Sequence, residues 1–306
     1  MGDLALAERI LRAACGDRLR TAFPLAPLTT FRIGGPAALF LEPDADDDLA
    51  AAADAIGQAA IPWIVLGKGS NVLVADDGFP GLVLRLGRGF RWAARQAERL
   101  SAGGAMPLPA LAGVALRHGL AGVEFGVAIP ASVGGAVRMN AGAHGGEMRD
   151  VLTTIDLYRL DQGRREVLAS ADAGFGYRSS GLPRDGVVIG ATLLLGPDDT
   201  EAIRARMDQA RDWRRRTQPV AEPNCGSVFT NPQGGHAAKL IDEAGGKSLS
   251  EGRAHVSAKH ANFIIAEPGA SASEVQTLIE RIRSLVRERA GVDLVPEVKL
   301  VGPVDG

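Results

Sequence analysis

The stretch EPNCGSVFTNP (222–232) gathers a thiol, Cys225, a hydroxyl, Ser227, and two carboxamides, Asn224 and Asn231, around Gly226. Cys225 or Ser227 could attack an electrophile, and the hydroxyl could instead give up a proton, while the carboxamides suit the polar groups of a ligand. No G-x-S-x-G elbow surrounds Ser227, so a hydrolase triad has no support. A second stretch, LGKGSNVLV (66–74), brackets Lys68 between Gly67 and Gly69 and continues with Ser70, Asn71 and Val72. Such a turn can expose successive backbone N–H groups, a concavity that binds phosphate. It is neither the dinucleotide fingerprint nor a P-loop: no third glycine follows at the right offset, the next segment reads as a strand, and no GK[ST] occurs. The plain alternative is a β-turn between two strands.

Three further stretches carry chemistry-bearing residues. GVAIPASVGGAVRMNAGAHGGEM (126–148) is too apolar for a flexible linker, and its glycines permit close backbone approach to a ligand. Read blandly, it is a bulged strand region with turns. Two glycine-rich segments on separate α/β stretches suit one extended ligand, such as FAD, with the pyrophosphate on one loop and the flat ring system against the other. FGYRSS (175–180) reads as extended chain, which would send Tyr177 and Arg178 to opposite faces. VPEVKL (295–300) reads as a strand with Glu297 and Lys299 on one face and Val298 and Leu300 on the other, a pattern that a solvent-facing strand shares. The five histidines include no HExxH and none has a cysteine at ligand spacing, so no metal is expected.

These residues need a scaffold. A helix is expected near 44–58, opened by Asp44, and another over 108–119. WIVLGKGSNVLVADDGFPGLVLRL reads as strand, loop, strand, turn, strand. Strands return at TTIDLYRL and GVVIGATLLL. TEAIRARMDQARDWRRR is a charged amphipathic helix whose arginine run reads as a solvated helix end. HAAKLIDEAG is a short helix, NFIIAEPG a strand, and VDLVPEVKLV a closing strand. The helix over 272–290 has a capping box, Ser271 with Glu274, an apolar face of Val275, Leu278, Ile279, Ile282, Leu285 and Val286, and Gly291 as its stop. The chain reads as α/β for the first two thirds and α+β for the last, with a boundary near 205–218. Its 306 residues, 46% hydrophobic with a net charge of −2, suit a globular protein and do not point to nucleic acid or a membrane surface. Cys15 and Cys225 form no CxxC and no disulfide framework. The N-terminal amphipathic pattern has no cleavage site, and a reducing cytoplasm is the natural setting.

Taken in order, TTFRIGGPA, LGKGSNVLV, IPASVGGAVRMNAGAHGGE, FGYRSS, NCGSVFTNP, SAKHANFII and PEVKL resemble the UDP-N-acetylenolpyruvoylglucosamine reductase (UDP-N-acetylmuramate dehydrogenase) family across about residues 21–300. The resemblance implies a bipartite FAD-binding unit of the vanillyl-alcohol-oxidase (PCMH) type followed by an α+β substrate-binding domain. It divides the chain into 1–86, 87–208 and 209–297, with the closing strand 298–306 returning to the first part. It implies non-covalent FAD, NADPH as co-substrate and reduction of a UDP-linked enolpyruvyl sugar for peptidoglycan synthesis. No obligate protein partner is evident. By motif position, Arg178 binds and polarises the substrate carboxylate, Glu297 helps stabilise the enolic form, and Ser227 protonates the carbanion, while Cys225 is a packing residue. FAD contacts are implied at Arg32, Gly67, Lys68, Gly69, Ser70, Asn71, Val72, Pro130, Ser132, Val133, Gly134, Gly135, Asn140 and Gly142. Substrate contacts are implied at Tyr177, Arg214, Asn231, Lys259, His260 and Lys299, with Arg214 toward the diphosphate.

The chain has Ala131 where the family usually has Gly, and Arg138 and His144 where aromatic residues are common. Only SSGLPRDG separates Arg178 from the next strand, which resembles the branch without a Tyr-bearing lid. Two other readings compete: another FAD-dependent oxidoreductase of the same superfamily, and a nucleotide-binding module without catalysis.

Overall fold

A computed structural model describes residues 2–303. Residues 304–306 of the expected returning strand lie outside the described residues. The chain divides into two compact units, each assembled from separate stretches. One takes in the N-terminal helix, Leu39–Lys68 and Gly81–Trp213; the other takes in Ala22–Ala38, Gly69–Pro80 and the chain from Arg214 onward.

The first unit is built around a five-stranded antiparallel sheet in the order 164–169, 152–159, 186–194, 99–103, 93–96. Its central strand, Gly186–Leu194, is buried on both faces. Val188, Ala191 and Leu193 pack with Leu108, Leu111, Val133 and Ile203, whereas Val187 and Ile189 pack with Leu11, Leu49, Leu82 and Phe90. Two covered faces explain why GVVIGATLLL is apolar at every position but Thr192 instead of alternating. The helices Leu4–Cys15 and Asp46–Ala59 supply Ala7, Leu11, Leu49, Ala52 and Ala55 to the second of these cores. Asp44 does not open the second helix as expected: its N–H donates to Asp48 Oδ2 (2.9 Å), and Ala45 is the capping position.

In the second unit, a three-stranded antiparallel sheet (250–251, 254–256, 264–266) and the helix Ala272–Ala290 close around Val275, Leu278, Ile279, Ile282 and Val286. Leu285, expected on the same stripe, is only half-buried. Phe31, Ile33, Leu73, Cys225, Phe229 and Val298 join that core from distant parts of the sequence. The helix ends as the sequence implies, with Gly291 in the left-handed region donating to the Arg287 carbonyl. Its start has two caps. Ser271 and Glu274 form the expected box, and Asp76 accepts from Ala272 N (2.7 Å), Ser273 N (3.0 Å) and Ser273 Oγ (2.7 Å).

Partial burial raises the Asp76 carboxyl, but the hydrogen bonds from Ala272 and Ser273 outweigh it and hold the group below the usual carboxylate range. A group with a depressed folded pKa contributes stability above its unfolded pKa, ~3.9, and loses it as pH falls through the lower folded value. Asp76→Ala should lower the unfolding free energy by about 0.5–2 kcal/mol at neutral pH. The difference from wild type in urea titrations should vanish in acid.

Candidate active site

The loop after the strand Trp63–Val65 is held by its carbonyls and side chains. Gly69 O accepts from Thr30 N (2.9 Å) and Thr30 Oγ1 (3.3 Å), Asn71 O accepts from Lys299 N (3.1 Å), and Asn71 Nδ2 donates to Glu297 O (3.2 Å). Its amides behave differently. None of the backbone N–H groups of Gly67, Lys68, Gly69, Ser70 and Asn71 donates to a protein acceptor among the described residues. Gly69 is buried and the other four are half-buried. A run of neighbouring amides with no protein acceptor on a partly buried turn suits an anion. The electrostatics agree: burial, with Arg85 and Arg91 nearby, lowers the Lys68 pKa, so positive charge is crowded at this loop. The residues present therefore fit the pyrophosphate of FAD.

Gly69 has no substitute here. Its φ is +61°, and a Cβ would stand 2.2 Å from the Leu28 carbonyl oxygen. A Cβ on Gly67 would stand 2.8 Å from Ser132 Oγ, so within the first unit the two glycine-rich segments meet.

The second segment is not the bulged strand region that the sequence suggested. It contains a 3₁₀ turn, Glu124–Ala128, and a short helix, Val133–Arg138, capped by Ser132, whose hydroxyl accepts from Gly135 N (3.3 Å). Gly134 fits against the Gly104 and Val188 carbonyls, where a Cβ would come within 3.2 Å and 2.9 Å. Pro130 lies exposed ahead of the helix and Val133 is buried in it; Ala131, in place of glycine, has no positive φ. Asn140 is fully buried with φ +42° and all its side-chain groups are engaged. Its Nδ2 donates to Glu147 Oε2 and Gly176 O, both at 3.0 Å, and its Oδ1 accepts from Arg149 N (3.0 Å). Asn140 is thus engaged by the Gly176 and Arg149 backbone and the Glu147 carboxylate. His144 packs edge-on to Trp213, ring centroids 5.0 Å apart.

FGYRSS is not extended. Gly176 and Ser179 exchange hydrogen bonds (3.1 and 3.3 Å), which puts Tyr177 and Arg178 at the two corners of a tight turn. Arg178 has φ +53°, its Nη2 donates to Gly142 O (2.8 Å), and its guanidinium lies 5.0 Å from the centre of the Tyr177 ring. Tyr177 is 54% exposed, available to a ligand.

In the second unit, the opening stretch runs beside the PE motif. Phe229 and Pro296 form an antiparallel bridge, and Glu297 N donates to Val228 O (2.7 Å). Ser227 and Glu297 therefore sit on adjoining segments. The regular closing strand spans only Lys299–Val301, paired in parallel with Val72–Val74, so Glu297 precedes it instead of alternating within it. Ser227 follows Gly226 (φ +80°), is half-buried, and has no hydrogen bond on its hydroxyl among the described residues. Cys225 differs sharply: it is 2% exposed in the core, and burial together with the Glu297 carboxylate pushes its thiol far above the usual range. A thiol held protonated is no nucleophile.

The expected substrate residues are placed as follows. Arg214 is half-buried near the end of the helix Thr200–Thr217; burial lowers its pKa, and its Nε has no hydrogen-bond partner among the described residues. An orphaned buried donor fits a residue awaiting an anion. Asn231 Oδ1 accepts from Ala237 N (3.0 Å), at the start of the helix Ala237–Glu243, and Lys259 Nζ donates to Arg215 O (2.5 Å). Burial lowers the His260 pKa, a backbone hydrogen bond offsets part of this, and Lys247 lowers it further. Its Nδ1 accepts from Asn262 N (3.3 Å), which leaves the ring proton on Nε2. Lys299 is exposed. Arg32 is exposed at φ +60°, its N–H bound to Thr29. The sequence did not single out Asn262. Asn262 exchanges hydrogen bonds with the Phe229 backbone (2.9 and 2.8 Å) and accepts from Val228 N (2.9 Å), anchoring the Ser227 segment. The available signal was a polar residue flanked by the apolar FII run.

A family model described as an FAD binding domain matches residues 37–167, and one for the UDP-N-acetylenolpyruvoylglucosamine reductase C-terminal domain matches 218–301. The UDP-N-acetylenolpyruvoylglucosamine reductase of Heliobacterium modesticaldum is 44% identical over 285 residues, 92% of this chain and 90% of that protein. The crystal structure of UDP-N-acetylenolpyruvylglucosamine reductase from Thermus caldophilus matches at a TM-score of 0.81 and 36% identity, covering 93% of this chain and 99% of that one. BBE-like 1 of Physcomitrella patens shares the fold alone, at a TM-score of 0.50 and 17% identity over 62% of this chain and 44% of that one. The protein is thus an FAD-dependent oxidoreductase with a PCMH-type FAD-binding unit. More particularly, the chain belongs to the UDP-N-acetylenolpyruvoylglucosamine reductase family, which uses NADPH as reductant and serves peptidoglycan precursor synthesis.

Gly69→Val should lose bound FAD and lower Tm together, because the clash with Leu28 distorts the loop that presents the amides. The flavin-to-protein absorbance ratio and a melting curve read both. Cys225 should resist iodoacetamide in the folded protein and react after denaturation, as mass spectrometry of the intact chain will show.

Proposed function

We propose that this chain reduces the enolpyruvyl group of a UDP-linked amino sugar, with Ser227 as general acid and Arg178 and Glu297 as stabilisers of the charged intermediate. The observation that carries this reading is the contrast within one stretch: an unengaged, half-buried hydroxyl at Ser227 beside the Glu297 segment, and a buried, protonated thiol two residues away. When bound, FAD accepts reducing equivalents from NADPH and delivers them to the double bond. The residues do the rest. Charge on the substrate spreads toward its carboxylate, and the Arg178 guanidinium, a fixed fork of donors, matches a carboxylate. Glu297 stabilises the enolic form by hydrogen bonding. Ser227 supplies a proton to carbon, a base strong enough to take it from a hydroxyl. Asn262 fixes the Ser227 segment, and Asn71 fixes Glu297 through its carbonyl.

The amides of Gly67–Asn71 hold the FAD pyrophosphate, with Lys68 adding charge, while Arg32, Val72, Pro130, Ser132, Val133, Gly134, Gly135 and Gly142 line the rest of a non-covalent flavin site. Asn140 supports that site from below by holding Gly176. Arg214 binds the diphosphate through its orphaned donor. Tyr177, Asn231, Lys259, His260 and Lys299 complete the substrate contacts. Functionally the chain divides into 1–86, 87–208 and 209–297. Among the described residues no helix is long and apolar enough to cross a membrane, which agrees with work in the cytoplasm on soluble nucleotide sugars.

Ser227→Ala should lower turnover by ~10²–10⁴. Flavin reduction by NADPH should be nearly unchanged, since that step takes no proton from Ser227. Arg178→Ala and Glu297→Gln should likewise slow only the oxidation of reduced flavin by the sugar substrate. Stopped-flow absorbance separates the two half-reactions, and a defect confined to the NADPH step would refute these roles. Cys225→Ala should turn over like wild type.

A further inference from the structure

We propose that Arg138 is a positioning residue for the reductive step, acting through the turn that carries Arg178. The inference rests on the role given above to Arg178. Arg138 closes the short helix Val133–Arg138 and turns its guanidinium onto the segment that follows the Arg178 turn. Nη1 donates to Leu182 O (3.0 Å) and Pro183 O (2.9 Å), and Nη2 donates to Gly186 O. The backbone of Arg138 takes part as well, since its carbonyl accepts from Ser180 Oγ (2.8 Å). Two residues on, Asn140 donates to Gly176 O (3.0 Å), and Gly142 O accepts from Arg178 itself (2.8 Å). Residues 138–142 thus grip the turn before, at and after Arg178.

Two physical facts make this grip more than local packing. Arg178 sits at φ +53°, and a non-glycine residue stays there only when its surroundings over-determine the conformation. Burial lowers the Arg138 pKa, with Asp185 nearby offsetting part of the cost, so a desolvated guanidinium is being spent mainly on neutral carbonyls. A single planar fork that reaches the carbonyls of 182, 183 and 186 cannot be copied by an aliphatic or aromatic side chain. Without it the SSGLPRDG segment keeps its backbone ties at Gly181 and the Ser180 contact but loses three hydrogen bonds at 182, 183 and 186, and the turn gains freedom to shift. A displacement of about 1 Å at a group that must meet developing charge costs ~10²-fold in rate.

The test uses the FAD-loaded, full-length protein and stopped-flow measurement of both half-reactions in Arg138→Met, Arg138→Lys, Ser180→Ala, Arg178→Ala and the Arg138→Met/Arg178→Ala double variant. Arg138→Met should keep its FAD and its rate of reduction by NADPH, yet oxidise with the UDP-linked enolpyruvyl sugar on the order of 10²-fold more slowly. Arg138→Lys should recover part of that loss and Ser180→Ala should show a smaller loss in the same step. The double variant should be no slower than Arg178→Ala alone, because both changes remove one function. Wild-type oxidation in Arg138→Met, an equal slowing of both half-reactions, or losses that multiply in the double variant would overturn the proposal. If Arg138→Met does not fold, Ser180→Ala decides: an unchanged oxidative step counts against it. An Arg178→Ala variant that oxidises normally would sink the role of Arg178, and this inference with it.

Discussion

Backbone amides taken out of water need acceptors, and the Gly67–Asn71 loop satisfies this constraint in an unusual direction. Its carbonyls and the Asn71 side chain are tied to Thr30, Glu297 and Lys299, so the loop is fixed without spending its own N–H groups. Five amides remain for an anion. The same ties carry the consequence further along the chain. Asn71 meets the segment that bears Glu297, and Val72–Val74 pairs with Lys299–Val301, so the loop suited to the cofactor also sets the backbone of a proposed catalytic carboxylate. Gly69 is what permits this geometry, because a side chain there would run into the Leu28 carbonyl.

Polar side chains in this protein are sorted by whether the fold uses them up. Asn262 and Asn224 are consumed by backbone groups, and Asn140 by backbone groups and the Glu147 carboxylate: Asn224 Oδ1 accepts from Gly226 N (2.9 Å) and its Nδ2 donates to the carbonyls of Pro219 and Glu222. Among the described residues, the Ser227 hydroxyl and the Arg214 Nε are not consumed. A reactive or ligand-binding group must keep an open valence, and a positioning group must not. The distinction separates residues of identical chemical type that a motif alone would treat alike. It also gives Arg138 its meaning, as a cation whose donors are committed to carbonyls.

Much of the scaffold was legible from local signals. The helix Ala272–Ala290 was marked by its cap, its stripe and its terminal glycine, because those features act over one or two turns. The strands 152–159 and 186–194 were read from TTIDLYRL and GVVIGATLLL, both rich in β-branched and apolar residues. The errors share a cause. FGYRSS was read as extended because period-two spacing cannot see the hydrogen bonds, from Asn140 to the Gly176 carbonyl and from Arg178 to the Gly142 carbonyl, that accompany the positive φ of Arg178. The Val133–Arg138 helix was missed because its glycines disfavour helix, and its Ser132 cap is supplemented by contacts with Gly104, Met106 and Val188 far away in sequence.

The sequence by itself determined the motifs, their order, the family they belong to and the regular elements with local caps, since each is written in contiguous residues. Tertiary structure decided which groups are spent and which stay open. It buried Cys225 and left Ser227 unengaged, put Arg178 on a turn corner, turned Arg138 onto three carbonyls, and brought Asn71 to Glu297 across 226 positions of sequence. No local pattern encodes those outcomes, because burial and hydrogen-bond partnership depend on residues far apart in the chain that meet only when the core closes.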